Sequence, residues 1–97
     1  MGKKIGMVIG ASQDAIHTIK KARKQGIYVV ALDGNPHAEG LGFADEGRVV
    51  DISDMQKVCQ EVEQIKPDFI LPVPIGRYLI TTGYMNKKYK LPGVMYS

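Results

Sequence analysis

The sequence predicts an α/β protein: a three-layer open parallel sheet of four to five strands with helices on both faces, in the order 3-2-1-4 with any fifth strand beyond the fourth. Three observations predict it. Apolar runs recur at residues 5–9, 27–32 and 69–71, continuous rather than alternating, as in strands buried on both faces. Amphipathic helical patterns lie between them. The joints are short and rich in Gly, Asp, Asn and Pro, the spacing of βαβ units with right-handed crossovers.

Residues 3–14, KKIGMVIGASQD, set the unit that the rest of the chain repeats. Ile5, Met7, Val8 and Ile9 pass through Gly10 into Ser12-Gln13-Asp14, so a buried strand turns tightly into a helix. That first helix is expected over 12–25, with Ala15, Ile16, Ile19 and Ala22 inward, Lys20, Lys21 and Lys24 off that face, and Gly26 to end it. Residues 27–32 (IYVVAL) make the second strand, closed by the turn formers Asp33-Gly34-Asn35-Pro36. Residues 37–47 read as a loop holding Gly40 and Gly42, and 48–50 as a short third strand.

Ser53 starts the second helix with a capping box, since the side chain of Gln56 can return a hydrogen bond. Met55, Val58, Cys59, Val62 and Ile65 form its buried stripe, and Pro67 stops it. Residues 69–71 are the fourth strand. After Pro72-Val73-Pro74 a third helix is expected over 75–90, and 94–96 begin a fifth strand. The chain stops there, which reads as one part of a larger protein.

At 97 residues the chain is a single domain, large enough to bury a modest core without disulfides or metals. Apolar residues at 44% and charged residues at 24% argue against disorder. A net charge of +3, with no basic stripe interleaved with aromatics, does not point to nucleic acid. The single cysteine, Cys59, excludes an internal disulfide, fits a reducing compartment and falls on a buried helix face. No apolar stretch approaches the ~20 residues of a membrane span. Lys3 and Lys4 are not followed by a signal-like apolar core, so a cytoplasmic protein is expected.

Chemistry is expected where the loops after the strands converge, at residues 10–14, 33–40 and 72–77. Gly10, Ala11, Ser12 and Gln13 allow two readings. Their backbone N–H groups at a helix start can hold an anion or polar group, or Gly10 and Ser12 simply make a turn and a cap. Asp14 adds a negative charge that discourages a phosphate there. Asp33, with Asn35 beside it, stands where dinucleotide-binding folds place a ribose-binding acid, and equally where a turn needs an Asp. The G-x-G-x-x-G fingerprint is missing, because Gly10 is followed by Ala11-Ser12-Gln13. Arg77, after Gly76, stands at an expected helix start, where a cation opposes the macrodipole; it is a candidate anion binder or a partner for Asp14 or Asp33. His17 and His37 have no metal-ligand spacing around them, and no nucleophile elbow or P-loop is present.

The segments IGMVIGASQD, YVVALDGNPHAEG, FADEGRVVDISD, DFILPVPIGR and LPG, in this order, resemble the N-terminal, Rossmann-like domain of ATP-grasp ligases. That superfamily includes biotin carboxylase, carbamoyl phosphate synthetase, purine-pathway ligases and amino-acid ligases. The resemblance implies a domain preceding the ATP-binding module of an enzyme that joins a carboxylate to an amine through an acyl phosphate. ATP and magnesium would be held mainly by that later module, and none is expected for these residues alone. The resemblance further implies substrate contacts from Gly10, Ala11, Ser12 and Gln13 and from Gly76 and Arg77, with no catalytic residue. The implied partners are a small-molecule carboxylate and the remaining ATP-grasp domains, with a homodimer through an exposed strand edge as a further option. Two other readings stay open: a stand-alone dinucleotide-binding module, and the docking half of a split enzyme.

Overall fold

The computed structural model describes residues 3–71. Within them run β1 (Ile5–Ile9), a 3₁₀ turn (Gln13–Ala15), α1 (Ile16–Lys24), β2 (Tyr28–Asp33), a second 3₁₀ turn (Glu39–Phe43), β3 (Glu46–Val49), α2 (Met55–Ile65) and β4 (Phe69–Leu71). The strands form one parallel sheet in the order β3-β2-β1-β4, the expected topology. The helix and strand expected over 75–90 and 94–96, and the loop at 72–77, lie outside the described residues.

Alternation along the central strands sorts side chains into two cores. Met7 and Ile9 of β1, Val30 and Leu32 of β2, and Ile70 of β4 pack with Val58, Cys59 and Val62 of α2. Val8, Val29, Ala31 and Leu71 turn the other way and pack with Ala15, Ile19 and Ala22. Each helix thus covers its own face. This explains why β1 and β2 show no polar alternation.

Two aspartates finish the ladder at the amino ends of the strands. Asp68, just before β4, donates its N–H to the carbonyl of Ile5 (2.8 Å) and accepts the Ile5 N–H on Oδ2 (2.7 Å). Asp45, just before β3, does the same with Val29, at 3.0 and 2.9 Å.

Several local expectations shift. The first helix does not start at Ser12: a 3₁₀ turn precedes it, and α-helical geometry begins at Ile16. The second strand runs one residue later than expected, from Tyr28 through Asp33, because its pairing with β1 starts at Ile5↔Tyr28 and Asp33 pairs with Val49 of β3. The third strand is Glu46–Val49 rather than 48–50. As an edge strand it is only half-buried, so its pattern carries no apolar run. The expected loop over 37–47 contains the 3₁₀ turn Glu39–Phe43.

The cap of α2 also moves. Asp54, not Ser53, is the N-cap, its Oδ1 accepting the N–H groups of Gln56 (3.1 Å) and Lys57 (3.3 Å). Ser53 instead turns its N–H and hydroxyl onto Oδ1 of Asp51. Both residues are good caps, and an aspartate one position later wins because Ser53 is held in the preceding Asx turn. At the far end Lys66 takes the left-handed conformation (φ 53°) before Pro67. Arg48 of β3 lies 2.7 Å from Glu61 of α2 and 3.2 Å from Glu46, which ties the edge strand to that helix.

Two measurements check these caps. Asp54→Ala is expected to cost about 1 kcal/mol in chemical denaturation, because two N–H groups of α2 lose their acceptor. The donors of Ser53 hold the Asp51 carboxyl below its ordinary value, hydroxyl first and backbone N–H second. A lowered carboxyl stabilises the fold above its unfolded pKa and loses that effect as pH falls through the folded value. The Tm deficit of Ser53→Ala should therefore be largest near neutral pH and close as the solution is acidified below the carboxylate range.

Candidate functional site

The carboxyl ends of β1 and β2 bring six of the sequence-predicted site residues together. Gly10 follows β1 with a φ of 97°, which favours glycine, and its N–H continues the ladder to the Leu32 carbonyl at 2.8 Å. The loop then passes through Ala11, whose side chain is fully buried. Oδ2 of Asp33 accepts the Ala11 N–H at 2.8 Å, and the Ala11 carbonyl accepts the Gly40 N–H at 2.7 Å. Ser12 is extended and stands at the N-cap position, yet makes no side-chain cap bond. Its Oγ is buried and has no hydrogen-bond partner among the described residues. Gln13 and Asp14 are exposed at the start of the 3₁₀ turn.

The loop after β2 is a relay of side-chain-to-backbone bonds. Oδ1 of Asp33 accepts the Asn35 N–H (2.8 Å), and Oδ1 of Asn35 accepts the His37 N–H (2.9 Å). The Asn35 carbonyl accepts from Ala38 (3.0 Å), and the chain then arrives at Gly40 against Ala11. Asp33 and Asn35 thus sit beside Gly10, Ala11, Ser12 and Gln13 and have evident duties within the fold. Gly76 and Arg77 lie outside the described residues.

Sequence reasoning missed Gly40. It stood as one of several loop glycines, and its close approach to a segment far away in sequence leaves no local signal.

The arrangement bears on which ligands suit the loop. A pyrophosphate at a dinucleotide site needs loop N–H groups free and no negative charge in front of them. Here an aspartate already accepts the Ala11 N–H, and Asp14 adds a second acidic residue in the next turn. Ser12 adds a buried, neutral hydroxyl to this loop. A group with both donor and acceptor character suits it better than a phosphate chain.

Elsewhere, a groove of about 730 Å³ lies at the opposite, amino-terminal edge of the sheet, between α1 and the segments before β1, β2 and β3. Lys3, Lys20, Lys24, Ile27 and Phe43 are among its walls. Arg23 donates to the Phe43 carbonyl (2.9 Å) and pairs with Asp45 (3.2 Å), while Lys20 Nζ stands 4.7 Å over the Phe43 ring. These contacts bind the second 3₁₀ turn to α1. Among the described residues no group of His, Cys, Asp or Glu is placed to hold a metal ion, and no helix is long and apolar enough to cross a membrane. Cys59 is buried and forms no disulfide.

No family model matches the chain. Over 70 residues it is 29% identical to the formate-dependent phosphoribosylglycinamide formyltransferase of Prochlorococcus marinus subsp. pastoris, covering 72% of this chain and 18% of that enzyme. The enzyme of the same name from Paraburkholderia xenovorans is 32% identical over 66 residues, 68% of this chain and 16% of that protein. Among solved structures, phosphoribosylglycinamide synthetase from Anaerococcus prevotii superposes with a TM-score of 0.81 at 25% identity, over 94% of this chain and 23% of that one. N5-carboxyaminoimidazole ribonucleotide synthetase from Thermotoga maritima gives 0.61 at 31% identity, over 72% and 19%. The chain therefore spans less than a fifth of the length of the curated relatives it matches. These matches and the 3-2-1-4 sheet agree with the motifs read from the sequence: the chain is a homologue of the N-terminal, Rossmann-like domain of the ATP-grasp enzymes.

Proposed function

We propose that this chain is the substrate-side N-terminal domain of an ATP-dependent ligase that joins a carboxylate to an amine, and that it has no activity alone. The observation that carries this reading is the match of 70 residues to an enzyme whose name pairs formate, a carboxylate, with phosphoribosylglycinamide. The described residues do not fit a site for magnesium and ATP. They offer no metal-holding cluster, and Asp33 and Asp14 stand at the loop where a phosphate chain would lie. ATP and magnesium are accordingly assigned to further domains of the enzyme, where ATP would supply the phosphoryl group that activates the carboxylate.

The part of this chain is binding and orientation. Gly10, Ala11, Ser12 and Gln13 form one wall of the substrate cleft, with the Ser12 hydroxyl as its buried polar group. By the resemblance, Gly76 and Arg77, outside the described residues, supply the further substrate contact, with the guanidinium suited to an acidic end of the substrate. The Asp33–Asn35 segment is the floor that carries the Gly10–Gln13 wall. A stand-alone dinucleotide module is the weaker reading, because Asp33 accepts the first loop N–H a pyrophosphate would need.

Two outcomes test the proposal, with phosphoribosylglycinamide as the first probe. In the ligase that carries this domain, Arg77→Ala should raise the substrate KM by roughly tenfold or more, the range of a lost charge-assisted bond, and leave the ATP KM unchanged. An unchanged substrate KM would sink the assignment of Arg77. Ser12→Ala should leave Tm the same or slightly higher, since its hydroxyl has no partner to lose among the described residues, while weakening the probe. A Tm loss with unchanged probe binding would make Ser12 a purely structural residue.

A further inference from the structure

The substrate loop is held in place by the connection between β2 and β3, and by one contact in particular. Both peptide groups flanking Ala11 are fixed from that connection. Asp33 accepts the N–H on one side (2.8 Å), and Gly40 donates to the carbonyl on the other (2.7 Å). Two peptide planes fixed at one residue leave its φ and ψ no freedom. The Ala11 side chain is fully buried in the α1 core, so the third direction is closed as well.

Gly40 is a residue that only glycine fits. A Cβ built on it would stand 2.6 Å from the Ala11 carbonyl oxygen and 3.0 Å from the carbonyl carbon, both backbone atoms that no rotamer change can move aside. The absence of a side chain lets the two backbones approach to hydrogen-bond distance. Gly40 is itself buried within the 3₁₀ turn Glu39–Phe43, and Arg23 of α1 anchors that turn through the Phe43 carbonyl. The clamp therefore sits on a turn that is itself tied to α1.

We propose that Gly40 is a positioning residue: through its hydrogen bond to the Ala11 carbonyl, opposed by Asp33 on the Ala11 N–H, it presets the Gly10–Gln13 loop in its ligand-binding shape before ligand arrives. The inference rests on the reading of that loop as a substrate wall. A preset loop lets binding proceed without ordering the backbone first, and freeing a single residue's backbone would weaken a ligand about tenfold. The role of Asp33 follows from the same geometry: its charge serves the loop from beneath, and it acts on a ligand through Ala11.

The test uses the ligase that carries this domain and two readouts, amide hydrogen exchange at Ala11 and Gly40 and the Kd for phosphoribosylglycinamide. Gly40→Ala should speed exchange at Ala11 and weaken the probe, each by about tenfold. Asp33→Ala should do the same, and it carries the test if Gly40→Ala fails to fold. Asp33→Asn offers one carbonyl oxygen where the carboxylate accepts from both Ala11 and Asn35, so it should fall between wild type and Asp33→Ala in both readouts. Val58→Ala, in the core on the opposite face, is the control for general damage: it should lower Tm without singling out the loop amides or the probe. Wild-type exchange at Ala11 in both Gly40→Ala and Asp33→Ala would overturn the clamp, as would loop changes no larger than those in Val58→Ala. A wild-type enzyme that does not bind the probe, with a loop that still loosens in Gly40→Ala, would support the clamp and overturn the substrate reading instead.

Discussion

Strand β1 has no solvent face, and the remainder of the domain follows from that. Hydrogen-bonded to β2 on one side and β4 on the other, it sends Met7 and Ile9 to one core and Val8 to the other. A strand in this position needs a helix on each face, and parallel neighbours need crossover connections long enough to provide them. Once α1 and α2 are placed, the only way out for the chain after β1 is a sharp turn at the carboxyl edge. Gly10 makes that turn, and the candidate site is built on it.

The two-sided burial is also why so much of the fold was legible. Residues 5–9 and 27–32 read as strands because neither face tolerates a polar residue, and α1 and α2 showed their buried stripes for the complementary reason. Legibility failed where the deciding contact is either very local or very distant. At the start of α2, Ser53 and Asp54 are adjacent and chemically equivalent as caps, and the choice depends on an Asx turn made by Asp51 one step earlier. Edge strand β3 is half-buried and shows little pattern. Gly40 is the distant case: nothing around it in sequence tells that Ala11 lies against it.

The candidate site was legible as a set of loops and less so as a set of duties. Asp33 was found for its position at the end of β2, where an acid can meet a ribose. In the fold that carboxylate accepts backbone N–H groups of two loops, so the residue that would advertise a nucleotide is the one that joins the loops together. The Ser12 case runs the other way. It occupies the capping position and does not cap, and its buried hydroxyl has no partner among the described residues.

The paired bonds of Asp45 and Asp68 carry one more implication. Each aspartate stands one residue before an outer strand of the described sheet and grips a residue of the neighbouring central strand through both backbone and side chain. Sheet pairing alone sets register weakly where a strand is short, and β3 and β4 are the two shortest here among the described strands. Sliding either strand by one residue would leave a carboxylate facing no donor and a strand N–H facing no acceptor. The two side chains act as keys at the first rung, so that the alignment of the outer strands is decided where each begins and the carboxyl-end loops inherit it.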